Sequence, residues 1–191
     1  MARKKDPLND VANERPEAQI PIDRVGVKGV RLPVRVLDRE REHQDTIATV
    51  DMFVDLPAHF RGTHMSRFVE ILHLFRPEIS LKRIAEVLQQ MKEHLNAASS
   101  HLEVAFPYFI EKKAPVTHSP GLMDYACSFK GSSDPSGRID LVVEVAVPIT
   151  SVCPCSKEIS EYGAHNQRGE VRVRTRFKKF IWIEDVIALV E

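Results

Sequence analysis

The residues best equipped for chemistry lie in one run of eighteen, Ser151 to Arg168, with two thiols, a histidine, two glutamates, a lysine and an arginine. Cys153 offers a soft sulfur and His165 an imidazole nitrogen, the donor pair that a Zn²⁺-like or Fe²⁺-like ion prefers. They stand 12 residues apart, so the two ends of a single loop can meet at one metal. Two ligands are fewer than the three or four of an ordinary zinc site. A third would come from Cys155, Glu158, Glu161 or a residue elsewhere. The plainer alternative keeps both cysteines as small buried apolar residues and His165 as a surface loop residue. A redox or nucleophilic thiol beside His165 and Lys157 is a further option.

A second group is Arg61-Gly-Thr-His-Met-Ser-Arg67. It opens a helical pattern, so its backbone N–H groups can receive an anion, with Arg61 and Arg67 adding charge. The competing reading is an ordinary helix start with solvated arginines. Arg168 and the Arg172, Arg174 and Arg176 face form a third basic element, solvated, at a subunit interface or lining a phosphate pocket. The other histidines have no metal-ligand spacing. No Walker-type loop, G-x-G-x-x-G or H-E-x-x-H occurs.

These groups need elements to hold them. Residues 1–20 are polar and rich in Asp, Asn, Glu and Pro, as in a loosely attached tail. Two β-prone pieces follow, Val25 to Val27 and Val30 to Val36, interrupted by Gly29 and Pro33. Thr46 to Leu56 alternates, with Val50, Met52, Val54 and Leu56 on one side, as in a half-buried strand. Met65, Phe68, Val69, Leu72 and Phe75 predict a helix closed by Pro77. Ser80 caps a second, with Leu81, Ile84, Val87, Leu88, Met91 and Leu95 as its stripe. Strands return at Leu102 to Ile110, Leu122 to Lys130 and Ile139 to Val147, the last two joined by a turn at 131–137. After the Cys/His loop come a strand, Glu170 to Phe177, and a helical stripe of Ile183, Val186, Ile187 and Val190. This last pair would leave an apolar face with no cover within the chain. The order is β-β-α-α-β-β, which suits an antiparallel sheet with two helices on one face, an α+β fold.

The bulk numbers agree. The chain has 191 residues, 43% hydrophobic and 28% charged, with zero formal net charge. It carries no global basic field for nucleic acid, no apolar run of the roughly 20 residues that span a bilayer, and no secretory signal at its start. Three cysteines are too few for a disulfide framework, and a reducing cytoplasm is expected.

Together, Arg61-Gly-Thr-His-Met-Ser-Arg-Phe68 and Cys153-Pro-Cys-Ser-Lys-Glu-Ile-Ser-Glu-Tyr-Gly-Ala-His-Asn-Gln-Arg168 resemble the type IB GTP cyclohydrolases, over most of residues 20–191. The resemblance implies the tunnelling fold, with β-β-α-α-β-β units in tandem, a homotetramer and active sites at subunit interfaces. Residues 21–150 would be the first unit, and 151–191 the active-site loop and the start of a second, apparently truncated one. It implies conversion of GTP and water to 7,8-dihydroneopterin triphosphate and formate, the entry to tetrahydrofolate. Cys153 and His165 would serve catalysis and bind a divalent metal, Zn²⁺, Mn²⁺ or Fe²⁺. Arg61, His64, Arg67 and Arg168 are chemically reasonable triphosphate or ribose contacts. A glutamate completing the metal site and another gripping the purine are expected beyond Glu191, so the chain reads as a fragment of a functional enzyme. Two alternatives stand beside this: an NADPH-dependent nitrile reductase of the same fold, and a non-catalytic purine-binding assembly domain.

Overall fold

The structure, a computed structural model, describes residues 15, 17–73, 78–162, 165–176 and 180–191. The expected tail falls largely, and Phe75, Pro77 and Phe177 wholly, outside the described residues. The elements run β1 (Ile22–Asp38), β2 (Glu42–Leu56), α1 (Met65–Leu72), α2 (Leu81–Leu95), β3 (Ser100–Lys113), β4 (Pro120–Ser133), β5 (Ile139–Val152), α3 (Pro154–Ile159), β6 (Asn166–Thr175) and α4 (Ile183–Val190). The six strands form one antiparallel sheet whose spatial order equals their chain order. With helices on one side of it, this is the α+β, tunnelling-like arrangement expected.

Alternation decides which face is covered. Val50, Met52 and Val54 on β2, Leu102, Val104, Phe106 and Tyr108 on β3, and Val143, Val145 and Val147 on β5 point into one core. Onto them α2 lays Ile84, Val87, Leu88, Met91 and Leu95. Its start is capped by Ser80, whose Oγ accepts from the Arg83 N–H at 3.4 Å, and its end by Asn96 in the left-handed region at φ 52°. The face of α1 differs from the expected stripe: Phe68, Ile71 and Leu72 are buried, whereas Met65 and Val69 are 47% and 54% exposed. A helix this short buries only the narrow strip that α2 and β1 cover.

Two further expectations change. β1 is one strand, not two pieces; bulges between Ile22 and Val25 and between Val27 and Val30 absorb its irregularity. Pro33 is tolerated because β1 is the edge strand of the described sheet, its outer side meeting only a bridge from Val36 to Ile79. At Gly26 a Cβ would meet the Met52 carbonyl oxygen at 1.9 Å, so the backbones approach as only glycine allows. Second, α4 does have cover within the chain. Ile183, Val186 and Ile187 join the same core, because pairing of β6 on β5 returns the chain to the helix side of the sheet. Polar ties fix its start: Glu184 Oε1 accepts from the Tyr108 hydroxyl (2.6 Å) and the Arg39 N–H (2.8 Å). Its end is held by Glu191, which accepts from the Tyr125 hydroxyl at 2.7 Å.

Candidate active site

The Cys/His run closes the far end of the β5–β6 hairpin. The ladder's last pair is Val152 with Asn166, and just beyond it the Cys153 N–H donates to the His165 carbonyl at 3.3 Å. The expected loop contains a helix. Pro154 occupies the first position of α3, where its fixed φ suits a helix start and its missing N–H costs nothing. Cys153, extended at φ −64° and ψ 121°, takes the N-cap position, and its carbonyl accepts from the Lys157 N–H at 3.1 Å. The sequence signal was present: a proline read above as part of a loop also marks a helix's first residue.

Cys153 is buried, while Cys155 and His165 are exposed. The backbone N–H and hydroxyl of Ser156, and after them the groups of Cys155, face the Cys153 sulfur and hold its thiol below the usual pKa. Such an environment suits a sulfur that is to act as an anion. Glu158 and Glu161 point to solvent, and among the described residues no three His, Cys, Asp or Glu side chains gather as a metal cage. The same tip exposes Val152 (50%), Ile159 (87%) and Tyr162 (92%), large apolar side chains that the described residues do not cover.

The basic group at the start of α1 lies elsewhere. His64 is the N-cap of α1, and its carbonyl accepts from the Arg67 N–H at 3.1 Å. The Arg67 guanidinium donates to the His94 carbonyl at 2.7 Å, on the last turn of α2. That pins it near Ser100, where β3 begins. Val54, Ser100, Ser133 and Ile139 form one row across the sheet. From that row to Val152 is thirteen residue steps of β5, about 43 Å of strand at ~3.3 Å per residue. The chain therefore does not bring Arg61, His64 and Arg67 to Cys153 and His165. Arg168 does lie near the thiol end, exposed on β6 opposite Thr150.

The arginine face of β6 is engaged. Arg174 bonds Glu144, Arg172 pairs with Glu170 at 2.7 Å, and Arg176 forks onto Asp140 at 2.6 and 2.9 Å. Glu144 also meets Lys130 at 3.3 Å, and Lys130 meets Glu103 at 3.0 Å. Burial alone would push the Glu144 carboxyl up, but Arg174 and Lys130 hold it below its ordinary pKa. Sequence reading missed this ladder because Glu103, Asp140 and Glu144 sit on other strands, brought alongside only by register.

Comparison with known proteins decides the family. The family model described as type I GTP cyclohydrolase folE2 matches residues 8–191. The chain belongs to that family. A GTP cyclohydrolase FolE2 of Desulfosudis oleivorans is 59% identical over 184 residues, 96% of this chain and 71% of the relative. The protein of that name from Geobacter metallireducens is 52% identical over 184 residues, 96% and 70% of the two chains. That of Syntrophobacter fumaroxidans is 53% identical over 182 residues, 95% and 71%. The family match lends no support to the nitrile-reductase or assembly-domain alternatives. No helix among the described residues is long and apolar enough to cross a membrane.

Proposed function

We propose that this chain acts as a GTP cyclohydrolase in folate biosynthesis, of the type IB kind, opening GTP with water to 7,8-dihydroneopterin triphosphate and formate. The observation that carries the reaction is the family match over residues 8–191. Cys153 and His165 are its metal-binding and catalytic residues in this reading. What supports them is their place on either side of the hairpin mouth and the polar groups that hold the Cys153 sulfur toward its anionic form. A thiolate and a neutral imidazole are a donor pair that fits a divalent ion such as Zn²⁺, Mn²⁺ or Fe²⁺. When bound, that ion would supply a Lewis acid that makes water nucleophilic near neutral pH. The protein's own part is to fix the purine, neutralise the triphosphate and exclude bulk water. Arg61, His64, Arg67 and Arg168 are the proposed triphosphate and ribose contacts; Arg67 also spends its charge on the His94 carbonyl.

The distance between the two groups has a consequence. A single substrate cannot touch the start of α1 and the β5–β6 tip of one chain, so in this reading each site is shared between copies in a homotetramer. The apolar residues left open at the tip support an interface there. Residues 151–191 then serve as the opening of a second unit whose sheet continues the first.

The test is formate release and pterin fluorescence from GTP, with metal-stripped protein resupplied with Mn²⁺ or Zn²⁺. Metal-dependent appearance of both products is expected. A folded, metal-loaded protein that releases no formate overturns the reading.

A further inference from the structure

The sheet is split along part of its length. β1 stays paired with β2 as far as Asp38–Glu42, and β3 with β4 as far as Lys113–Pro120, but the β2–β3 ladder ends at Thr49–Ala105. Both strands run on past that pair, β2 to Glu42 and β3 to Lys113. Among the described residues the two hairpins therefore form a fork. Pro107 accounts for it. Continuing the register would set Ile47 opposite Pro107, which has no N–H to give. The other side of β3 is undisturbed, since Pro107 still pairs with Ala126. Side chains stitch the gap. The Thr46 hydroxyl donates to the Pro107 carbonyl at 2.9 Å. The Gln44 amide imitates a strand's peptide group: its Oε1 accepts from the Phe109 N–H at 2.8 Å, and its Nε2 donates to the Phe109 carbonyl at 3.1 Å. On the helix side, α4 spans the two arms. One oxygen of Glu184 accepts from the Arg39 N–H of the first arm and from the Tyr108 hydroxyl of the second. Its other oxygen is buried with no partner among the described residues, so the carboxylate is incompletely bonded.

We propose that this fork is a hinge: the β1–β2 arm swings about the Thr49–Ala105 pair, and α4, through Glu184, is the clasp that holds it shut. A gap closed by a few side-chain bonds opens at far lower cost than a backbone ladder, so the arm parts without unfolding the sheet. Opening separates Arg39 from Tyr108 and widens the cavity of about 260 Å³ that they line with Arg41, Lys112 and Glu184. Because α4 follows β6 in the chain, the clasp is joined to the hairpin that carries Cys153 and His165. The hinge stands independently of the reaction proposed above.

The experiment is residue-resolved amide hydrogen exchange on the whole protein. The reporters are the Arg39 and Phe109 amides, each held across the fork by a side chain. The Asp51–Glu103 ladder pair is the control. In wild type both reporters should exchange about tenfold or more faster than the control. Thr46→Val keeps the shape, loses the stitch and touches neither reporter; it should speed both by about tenfold with the control unchanged. Glu184→Ala should speed Phe109, which it does not touch, by a similar factor. Pro107→Val supplies the missing N–H and should slow both. Circular dichroism checks each fold, and should Thr46→Val fail to fold, Glu184→Ala read at Phe109 makes the same cross-comparison. Variants that alter only the amide their own bond touches, or that speed the control equally, overturn the hinge. So does a Pro107→Val protein whose reporters exchange at wild-type rates.

Discussion

The two ends of this sheet carry the two stretches that resemble GTP cyclohydrolases, and they are built differently. At the α1 end, Arg67 is tied down by the chain's own backbone, its guanidinium on the His94 carbonyl. At the β5–β6 tip, the backbone is closed by the Cys153–His165 bond, while the side chains of His165, Ile159 and Tyr162 face outward. At one end the guanidinium is engaged by the chain itself; at the other the imidazole and the large apolar side chains are open. A binding site assembled from both needs two copies.

The largest effect belongs to the tip. Cys153→Ala should reduce formate release to background while leaving far-UV circular dichroism unchanged; turnover near wild type would remove the thiol from the reaction. Next comes the sharing of sites. Arg61→Ala is expected to be nearly inactive, and when unfolded and refolded together with Cys153→Ala it should recover about one quarter of wild-type activity, the fraction of sites pairing two intact halves. A mixture as dead as its components would mean that both groups serve one chain's site.

Arg67 is expected to show a structural loss as well, through its bond to the His94 carbonyl. Arg67→Ala should cost about 1–2 kcal/mol in urea unfolding, the worth of a charged hydrogen bond to a carbonyl. A rise in the KM for GTP beside that loss is expected if Arg67 also contacts the triphosphate; untouched stability would show that its bond to His94 contributes nothing to the fold.

The ladder on the open face predicts a pH effect. Glu144 has a folded pKa below its ordinary 4.5. Its contribution is thus complete above that value and is lost as pH falls through the lower, folded one. The urea midpoint of Glu144→Gln should lie below wild type at pH 7, and the two curves should converge as pH falls below the ordinary carboxylate value and through the lower, folded one. Parallel curves would show that Glu144 does not titrate differently on folding. The smallest effect is Arg176→Ala. Its fork to Asp140 joins two solvent-exposed side chains, and its loss should leave the urea midpoint indistinguishable from wild type.

Much of the fold was legible because it follows single-chain periodicity: β2 alternates, α2 has a five-residue buried stripe, and Ser80 caps where a serine should. What was not legible depends on partners distant in sequence. Val69 belongs to the same helical period as Phe68, and only the position of α2 decides which of them is covered. The cover of α4 by β3 and β5 needs the β6 register first. Cys153 and His165 were legible as a pair because one loop joins them. Their separation from Arg61 was not, since motif resemblance carries no distance. β6 starts at Asn166, before the apolar alternation begins, because backbone pairing with β5 does not require buried side chains there.

The order of the sheet has a meaning for how the protein acquires its structure. Each strand pairs with the strand next to it in the chain, so most contacts close short loops and the sheet can extend in the order of synthesis. One step is different: β2 must wait for β3 across positions 57–99, the excursion that contains α1 and α2. That closure bears the largest chain-entropy cost, and α2, which touches both β2 and β3, would lower it by docking before the two strands pair. Substitutions at Val87, Leu88 or Met91 should therefore slow refolding, whereas those in α3 should leave the rate unchanged.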